Sequence, residues 1–309
     1  PVHTQSAAAG YAAIYAHRQH LKAVAEEQQD VVKRETVASS LRFADTFPQH
    51  EHAAAVLGAA ADDLYLMKDY RPAIAAAQRV IDVYPGAELA IRRSAWIVVA
   101  HGSFDLAEYP QAERAYVQAH LSPDGVFLDI GANAGIYTLT AARTYAKLGG
   151  AGYVLTVEAN PTMQARLRFN VEVNGFQPQV RLAPIALSDR TGEVEFTISD
   201  SNLGESGLDT PGTNKLRVPC KTLLDLLRDE KVTRVDGMKI DVEGAEDVIL
   251  TPFFQQADRS LFPRFIVIEN SADRWRSDLL SVLTRVGYRQ HGAHKMNLIL
   301  VLDRPVQVL

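Results

Sequence analysis

The segment VFLDIGANAGIYT (126–138) joins a short apolar run to a turn in which small and polar residues alternate. Asp129 lies near the end of the apolar run, and Gly131, Asn133 and Gly135 follow at every second position. A glycine-containing turn after a strand lets the backbone come close to a ligand, because glycine carries no side chain. The pattern therefore predicts a small-molecule site at the end of this strand.

Three classes of ligand use such a turn, and two of them fit this one poorly. A nucleoside triphosphate loop ends in Gly-Lys-Ser/Thr, whereas Ile136 and Tyr137 follow Gly135. A dinucleotide fingerprint needs glycine where this chain has Asn133, whose side chain would lie in the place of the pyrophosphate. S-adenosylmethionine has no phosphate. The two glycines clear space for its methionine end, Asn133 offers an amide to it, and Asp129 can hold the turn or reach the ammonium group.

A site for S-adenosylmethionine also needs an acid for the ribose hydroxyls and an apolar wall for adenine. Glu158 ends the next apolar run, YVLTVE, 27 positions after Gly131. A carboxylate there accepts two hydrogen bonds from a vicinal diol. The nearby Asn160 is a further candidate for cofactor binding. Ala186 and Leu187, after the third strand, are the candidates for the adenine wall.

The segment GMKIDVEGAE (237–246) is the candidate for the chemistry of methyl transfer. An alcohol is a weak nucleophile at neutral pH, so a base or a metal ion is expected near the transferred methyl group. Asp241 closes the strand and Glu243 follows it on the turn. Lys239 leaves the same face of the strand as Asp241 and can pair with its carboxylate.

Three interpretations of these acids remain open from the sequence. Asp241 or Glu243 acts as a general base, or both join Glu269, which ends a later strand, in holding Mg²⁺ or Mn²⁺. In the third interpretation the acids only cap the following helix and fix the turn.

From about residue 123, apolar runs alternate with helical stretches, which predicts an α/β domain with a mostly parallel sheet. The runs are VFLDI, YVLTVE, VRLAPIAL, GMKID, FIVIEN and NLILVL, with an extra half-buried strand in TGEVEFTIS (191–199). The polar stretch 199–215 predicts a loop at the mouth of the site that becomes ordered around the acceptor.

Four segments of this region, LDIGANAGIYT, VEANP, ALSDRTGEV and MKIDVEGAE, resemble the FkbM family of S-adenosylmethionine-dependent methyltransferases. The resemblance runs from about Val126 to the C-terminus. It implies a class I, Rossmann-like methyltransferase fold with a seven-stranded sheet. It also implies O-methylation of sugars, glycans and other secondary metabolites. The matched positions are Asp129, Gly131, Asn133, Gly135, Glu158, Asp241, Glu243 and Gly244.

The first half of the chain is rich in alanine, and its apolar residues recur three and four apart, which predicts helices. Prolines 48, 85 and 123 punctuate it at intervals of 37 and 38 residues. The pairs Tyr70/Ala73 and Tyr109/Ala112 resemble those of tetratricopeptide repeats. We therefore predict an all-α helical-repeat domain at 1–120 and a methyltransferase domain at 121–309. The resemblance implies a protein partner or self-association through the repeats, and a plain helical bundle is the alternative.

Composition limits the classes of function. The chain has 309 residues, is 47% hydrophobic and 22% charged, and carries a net charge of −5, which argues against nucleic-acid binding. It has one cysteine, which fits a reducing compartment. An apolar run long enough to span a bilayer and a secretory signal are both absent from the sequence, so we expect a cytoplasmic protein without a membrane segment. The sequence lacks an initiator Met.

The sequence thus predicts an S-adenosylmethionine-dependent O-methyltransferase that acts on a small-molecule or glycan hydroxyl. One alternative is a helical-repeat scaffold whose second domain binds the cofactor without turnover. The other is a protein N-methyltransferase. Such enzymes often carry Asn-Pro-Pro-Tyr after the fourth strand, where this chain has Asp-Val-Glu-Gly.

Overall fold

The computed structural model describes residues 4–198, 206–208, 213–293 and 296–303. The chain divides into two compact units, Pro1–Ala119 and His120–Leu309. Within the described residues, none of the helices is both long enough and apolar enough to cross a membrane.

The N-terminal region is helical, as predicted. Its helices are α1 Thr4–Leu21, α2 Glu26–Thr46, α3 Ala53–Leu66, α4 Tyr70–Val83, α5 Leu89–Asp105 and α6 Tyr109–His120. Prolines 48, 85 and 123 each come two or three residues after the end of a helix, where a residue without a backbone N–H cannot continue the hydrogen bonding. Ala73 and Ala112 are buried, so neighbouring helices pack closely there. The tetratricopeptide assignment remains a prediction.

The C-terminal unit contains ten strands and five α-helices within the described residues. The strands are β1 Val126–Ile130, β2 Tyr153–Val157, β3 Val180–Ala183, β4 Ala186–Leu187, β5 Gly192–Thr197, β6 Lys215–Lys221, β7 Gly237–Ile240, β8 Phe265–Glu269, β9 Tyr288–Ala293 and β10 Asn297–Leu302. The helices are α7 Ile136–Leu148, α8 Pro161–Val173, α9 Leu223–Asp229, α10 Glu246–Gln256 and α11 Leu279–Arg285.

Seven of these strands form one sheet in the order β3-β2-β1-β7-β8-β10-β9. The first five are parallel, and β10 runs antiparallel to both β8 and β9. This confirms the predicted class I methyltransferase fold. Strands β1 and β7 are buried at every position, as expected for central strands with helices on both faces.

A smaller sheet has the order β4-β6-β5. The sequence predicted VRLAPIAL as one strand, and this was wrong. The run breaks after Ala183, and its two halves, β3 and β4, belong to different sheets. Pro184 lies at the break, where it has no N–H to donate to a strand ladder. The predicted strand in TGEVEFTIS is present as β5.

The order of the main sheet determines where the site forms. Strand β1 lies between β2 and β7, so the carboxyl ends of all three meet at one edge. Asp129 lies in β1, Glu158 directly follows β2 and Asp241 directly follows β7. In open α/β sheets, ligands bind at this edge.

Candidate active site

The turn between β1 and α7 keeps three alternate residues in the left-handed region of backbone space. Gly131, Asn133 and Gly135 have φ values of +73°, +53° and +93°. A side chain at Gly131 would place its Cβ 1.9 Å from the backbone oxygen of Asp241, so only glycine fits between β1 and β7. Asparagine adopts this conformation more readily than other residues with a side chain, so Asn133 suits the position.

Glu158 holds the same turn from the side of β2. Its Oε2 accepts a hydrogen bond from the backbone N–H of Asn133 at 2.7 Å, and its Oε1 accepts one from the N–H of Asn160 at 2.7 Å. Burial raises the pKa of the Glu158 carboxyl above its ordinary value. Each oxygen of the Glu158 carboxylate has a second lone pair, so the carboxylate can accept further hydrogen bonds.

Asp129 and Asn160 support the site without lining it. Asp129 is 2% exposed and accepts a hydrogen bond from Thr138 Oγ1 in α7 at 2.5 Å. Burial raises the pKa of Asp129 to about 6. Asn160 caps α8, because its side chain accepts a hydrogen bond from the N–H of Thr162 at 3.0 Å and Pro161 begins the helix. Both residues therefore fix the ends of helices beside the turn.

A cavity opens at this edge of the sheet, where the ends of β1, β2 and β7 meet. Six of the predicted residues line it: Gly131, Asn133, Glu158, Ala186, Leu187 and Asp241. Six others, although they lie in the described part of the chain, are not among its lining residues: Asp129, Gly135, Asn160, Lys239, Glu243 and Glu269. The structure thus brings the predicted ribose acid, adenine wall and strand-end Asp241 to one pocket.

Sequence reasoning missed several residues of the cavity wall. Met163 comes from α8, Phe196 from β5, and residues 206–208 from the predicted loop. The alternation in TGEVEFTIS indicated that Phe196 is buried, but it could not indicate in which cavity. Most of the loop 199–215 lies outside the described residues, so its proposed ordering around an acceptor stays a prediction.

The acids at the ends of β7 and β8 form one cluster. Carboxylate oxygens of Asp241, Glu243 and Glu269 all lie within 4.8 Å of one another. Asp241, whose side chain is 40% exposed, reaches the cavity wall, and its Oδ2 lies 3.0 Å from Lys239 Nζ. Burial, and after it the charge of Asp241, raise the pKa of Glu269 to about 7.

An arginine that sequence reasoning did not single out joins this cluster. Arg274 Nη1 lies 3.1 Å from Glu243 Oε2, and its Nη2 lies 2.8 Å from Glu269 Oε1. The cluster therefore contains three carboxylates and two cationic side chains, Lys239 and Arg274. No signal in the sequence pairs a loop arginine with acids 5 and 31 positions earlier.

The pocket combines Glu158, an apolar wall and, through Asp241, one member of the acid cluster. Carboxylate oxygens are ligands that Mg²⁺ and Mn²⁺ prefer. The same carboxylates also suit proton transfer, and Asp241 alone among the three contributes to the cavity wall.

Two curated relatives are similar to part of this chain. One is the 2-O-methyltransferase NoeI of Sinorhizobium fredii (strain NBRC 101917 / NGR234), 26% identical in an alignment 157 residues long that covers 45% of this chain and 62% of the relative. The other is the methyltransferase sdnD of Sordaria araneosa, 27% identical over 169 residues, covering 45% of this chain and 64% of the relative. The chain thus spans less than two thirds of the length of the curated relatives it matches.

Among solved structures, the methyltransferase FkbM from Methylobacillus flagellatus KT is 15% identical, with a TM-score of 0.39. The match covers 76% of this chain and 62% of that one. At this TM-score the likeness carries no conclusion about function. Residues 129–290, just over half of the chain, match the family model described as the methyltransferase FkbM domain, and the protein therefore belongs to the FkbM family of methyltransferases.

Proposed function

We propose that the protein is an S-adenosylmethionine-dependent O-methyltransferase, whose acceptor is a hydroxyl of a saccharide, glycan or natural product. The observation that carries this proposal is the shared cavity, whose wall includes Glu158 at the end of β2 and Asp241 at the end of β7. In this proposal Glu158 accepts hydrogen bonds from the ribose diol and Asp241 accepts the proton of the acceptor hydroxyl, and both line the same cavity. The name of the Sinorhizobium fredii relative, a 2-O-methyltransferase, supports a hydroxyl acceptor.

The residues of the turn fit the cofactor. Gly131 keeps the backbone free of a side chain between β1 and β7, and Asn133 adds an amide at the wall. Glu158 would hold the ribose hydroxyls, and Ala186, Leu187 and Phe196 would provide the apolar wall for adenine. S-adenosylmethionine, when bound, would supply a methyl group on a sulfonium sulfur, which transfers in line to the acceptor oxygen as the C–S bond breaks and the thioether leaves.

Asp241 is the residue that we assign to the proton of the acceptor hydroxyl. It is the carboxylate of the cluster that reaches the cavity, and the ion pair with Lys239 at 3.0 Å orients it. Glu243 and Glu269 are not among the residues that line the cavity, and both form ion pairs with Arg274. A hard divalent ion held by the three acids remains the competing mechanism.

The binding arm of the test uses calorimetry with S-adenosylmethionine. Glu158→Gln removes the charge that the diol hydrogen-bonds to, so we expect Kd to rise about 10- to 100-fold. The matched control is Glu172→Gln, an exposed position on α8, with an unchanged Kd. Failure of the wild-type protein to bind the cofactor would contradict the proposed function.

The turnover arm supplies radiolabelled S-adenosylmethionine with a panel of glycans and polyhydroxylated small molecules. Loss of a general base slows such reactions by about 10²- to 10⁴-fold, so we expect this effect from Asp241→Asn, with cofactor binding retained. The exposed Asp273→Asn is the control and should retain full turnover. Cofactor binding without turnover on any hydroxyl would favour the scaffold. Label incorporated into added protein, and into none of the hydroxyl compounds, would favour the protein N-methyltransferase.

A further inference from the structure

The segment 274–277, which follows β8, is bonded to three acids that follow Asp241: Glu243 on the turn after β7, and Glu246 and Asp247 at the start of α10. Arg274 binds Glu243, Trp275 Nε1 donates to Glu246 Oε2 at 2.8 Å, and the Ser277 N–H donates to Asp247 Oδ2 at 2.7 Å. Glu246 in turn accepts a hydrogen bond from the N–H of Val242 at 3.0 Å. The segment therefore fixes the turn that directly follows Asp241.

Arg274 makes further hydrogen bonds within the cluster. Its Nη1 also donates to the backbone oxygen of Glu243 at 3.3 Å, and its Nη2 donates to Ser271 Oγ at 2.9 Å. A Cβ added to Gly244 would lie 3.0 Å from Arg274 Cβ, so the arginine packs closely against the glycine of the turn. The Arg274 side chain is 45% exposed, so several hydrogen bonds to the cluster, rather than burial, hold it in place.

The positive charge of Arg274 offsets negative charge in the acid cluster. Three carboxylates within 4.8 Å of one another repel strongly in a half-buried site, and the side chain of Glu269 is only 16% exposed. Lys239 compensates Asp241, whereas Arg274 compensates both glutamates with one planar fork of donors. A bound divalent ion would compensate the same charges.

We propose that Arg274 is the resident cation of the acidic cluster and a positioning residue for Asp241, so that the site works without a divalent metal ion. This inference rests on the proposed role of Asp241. Arg274 holds Glu243 and Glu269 together and keeps the strained turn at Glu243, whose φ is +58°, in place. Asp241 then remains the carboxylate that meets the acceptor.

The first measurement needs neither an acceptor nor turnover. Mn²⁺ binding is followed by electron paramagnetic resonance for the wild-type protein, Arg274→Ala and the control Arg289→Ala, which breaks an ion pair with Asp303. Because Arg274→Ala leaves the glutamates uncompensated, we expect it to bind Mn²⁺ at least about tenfold more tightly than the other two proteins. Equal Mn²⁺ affinity in all three would overturn the proposal, even if the proposed methyl transfer is correct.

The second measurement is turnover in the presence of EDTA. Arg274→Ala breaks charge-assisted hydrogen bonds, so we expect turnover to fall about 10- to 100-fold while the KM for S-adenosylmethionine stays constant. Added guanidinium should restore part of the rate, and Arg274→Lys should retain an intermediate rate. Circular dichroism verifies that both variants are folded.

Two results of this second measurement would contradict the role of Arg274. One is a wild-type rate that EDTA abolishes and Mn²⁺ restores. The other is a folded Arg274→Ala variant with the wild-type rate. Absence of turnover in the wild-type protein would instead count against the proposed function, and the Mn²⁺ comparison would still decide the role of Arg274.

Discussion

At the scale of single residues, the acids of the site differ because their surroundings differ. Asp129 is enclosed and bonded to Thr138, Glu158 is bonded to two backbone N–H groups, and Asp241 stays partly exposed. All three lie at neighbouring strand ends, yet burial raises the pKa of Asp129 and Glu158. Asp129, inside β1, therefore supports the turn, whereas Asp241, just after β7, is exposed enough to contact a ligand.

The buried carboxyl of Asp129 predicts a pH dependence of stability. Its pKa is about 6 in the folded protein, against about 3.9 in an unfolded chain. Between these values the folded state alone holds the proton. Raising the pH through this window therefore lowers the unfolding free energy, and the loss is complete above the folded pKa.

Asp129→Asn should remove this dependence. We expect the stability of the wild-type protein relative to the variant to fall by on the order of 1–3 kcal/mol between about pH 4 and pH 6, and to stay level above that. Urea denaturation across this range measures it, with the exposed Asp273→Asn as the control. A constant difference at every pH would show that Asp129 does not titrate there.

At the scale of elements, the turn from β1 into α7 depends on how closely it approaches β7. Gly131 and Gly149 have the same φ of +73°, but an added Cβ meets the Asp241 backbone oxygen at the first and has no neighbour within 4 Å at the second. Substitution of Gly149 therefore measures the cost of backbone strain alone, whereas substitution of Gly131 adds the collision with β7.

Gly149→Ala should lower the unfolding free energy by about 1 kcal/mol, the usual penalty of an L side chain in this conformation. Gly131→Ala should lower it by about 3 kcal/mol or more, because the turn must move away from β7. We also expect only Gly131→Ala to weaken binding of S-adenosylmethionine. Denaturation and calorimetry measure both effects, and equal losses at the two positions would refute the close approach.

At the scale of the whole molecule, the residues that line the cavity all belong to the unit His120–Leu309. A unit with its own core and its own site is expected to fold by itself. We therefore predict that a chain beginning at His120 is folded and binds S-adenosylmethionine within about threefold of the full-length affinity. Circular dichroism and calorimetry test this. A fragment that is folded but does not bind would assign part of the site to the helical unit.

Much of the site was readable from sequence because its signals are local. Apolar runs with Asp129, Glu158 and Asp241 at or near their ends mark strand ends, and Gly131, Asn133 and Gly135 at alternate positions mark a turn with left-handed residues. Such signals depend on a few neighbouring residues, whose conformational preferences are set by sterics and hydrogen bonding. The helical first half was readable for the same reason.

Only the tertiary structure shows which of these elements contact one another. The order of the main sheet places β1 between β2 and β7. The strand run VRLAPIAL is interrupted at Pro184, so that β4 belongs to a second sheet, and Phe196 of that second sheet lines the cavity. Arg274 reaches Glu243 across 31 positions of sequence. These contacts form between residues far apart in sequence, because the fold as a whole buries many side chains together. A short sequence pattern contains only its own few residues, so it cannot specify such contacts.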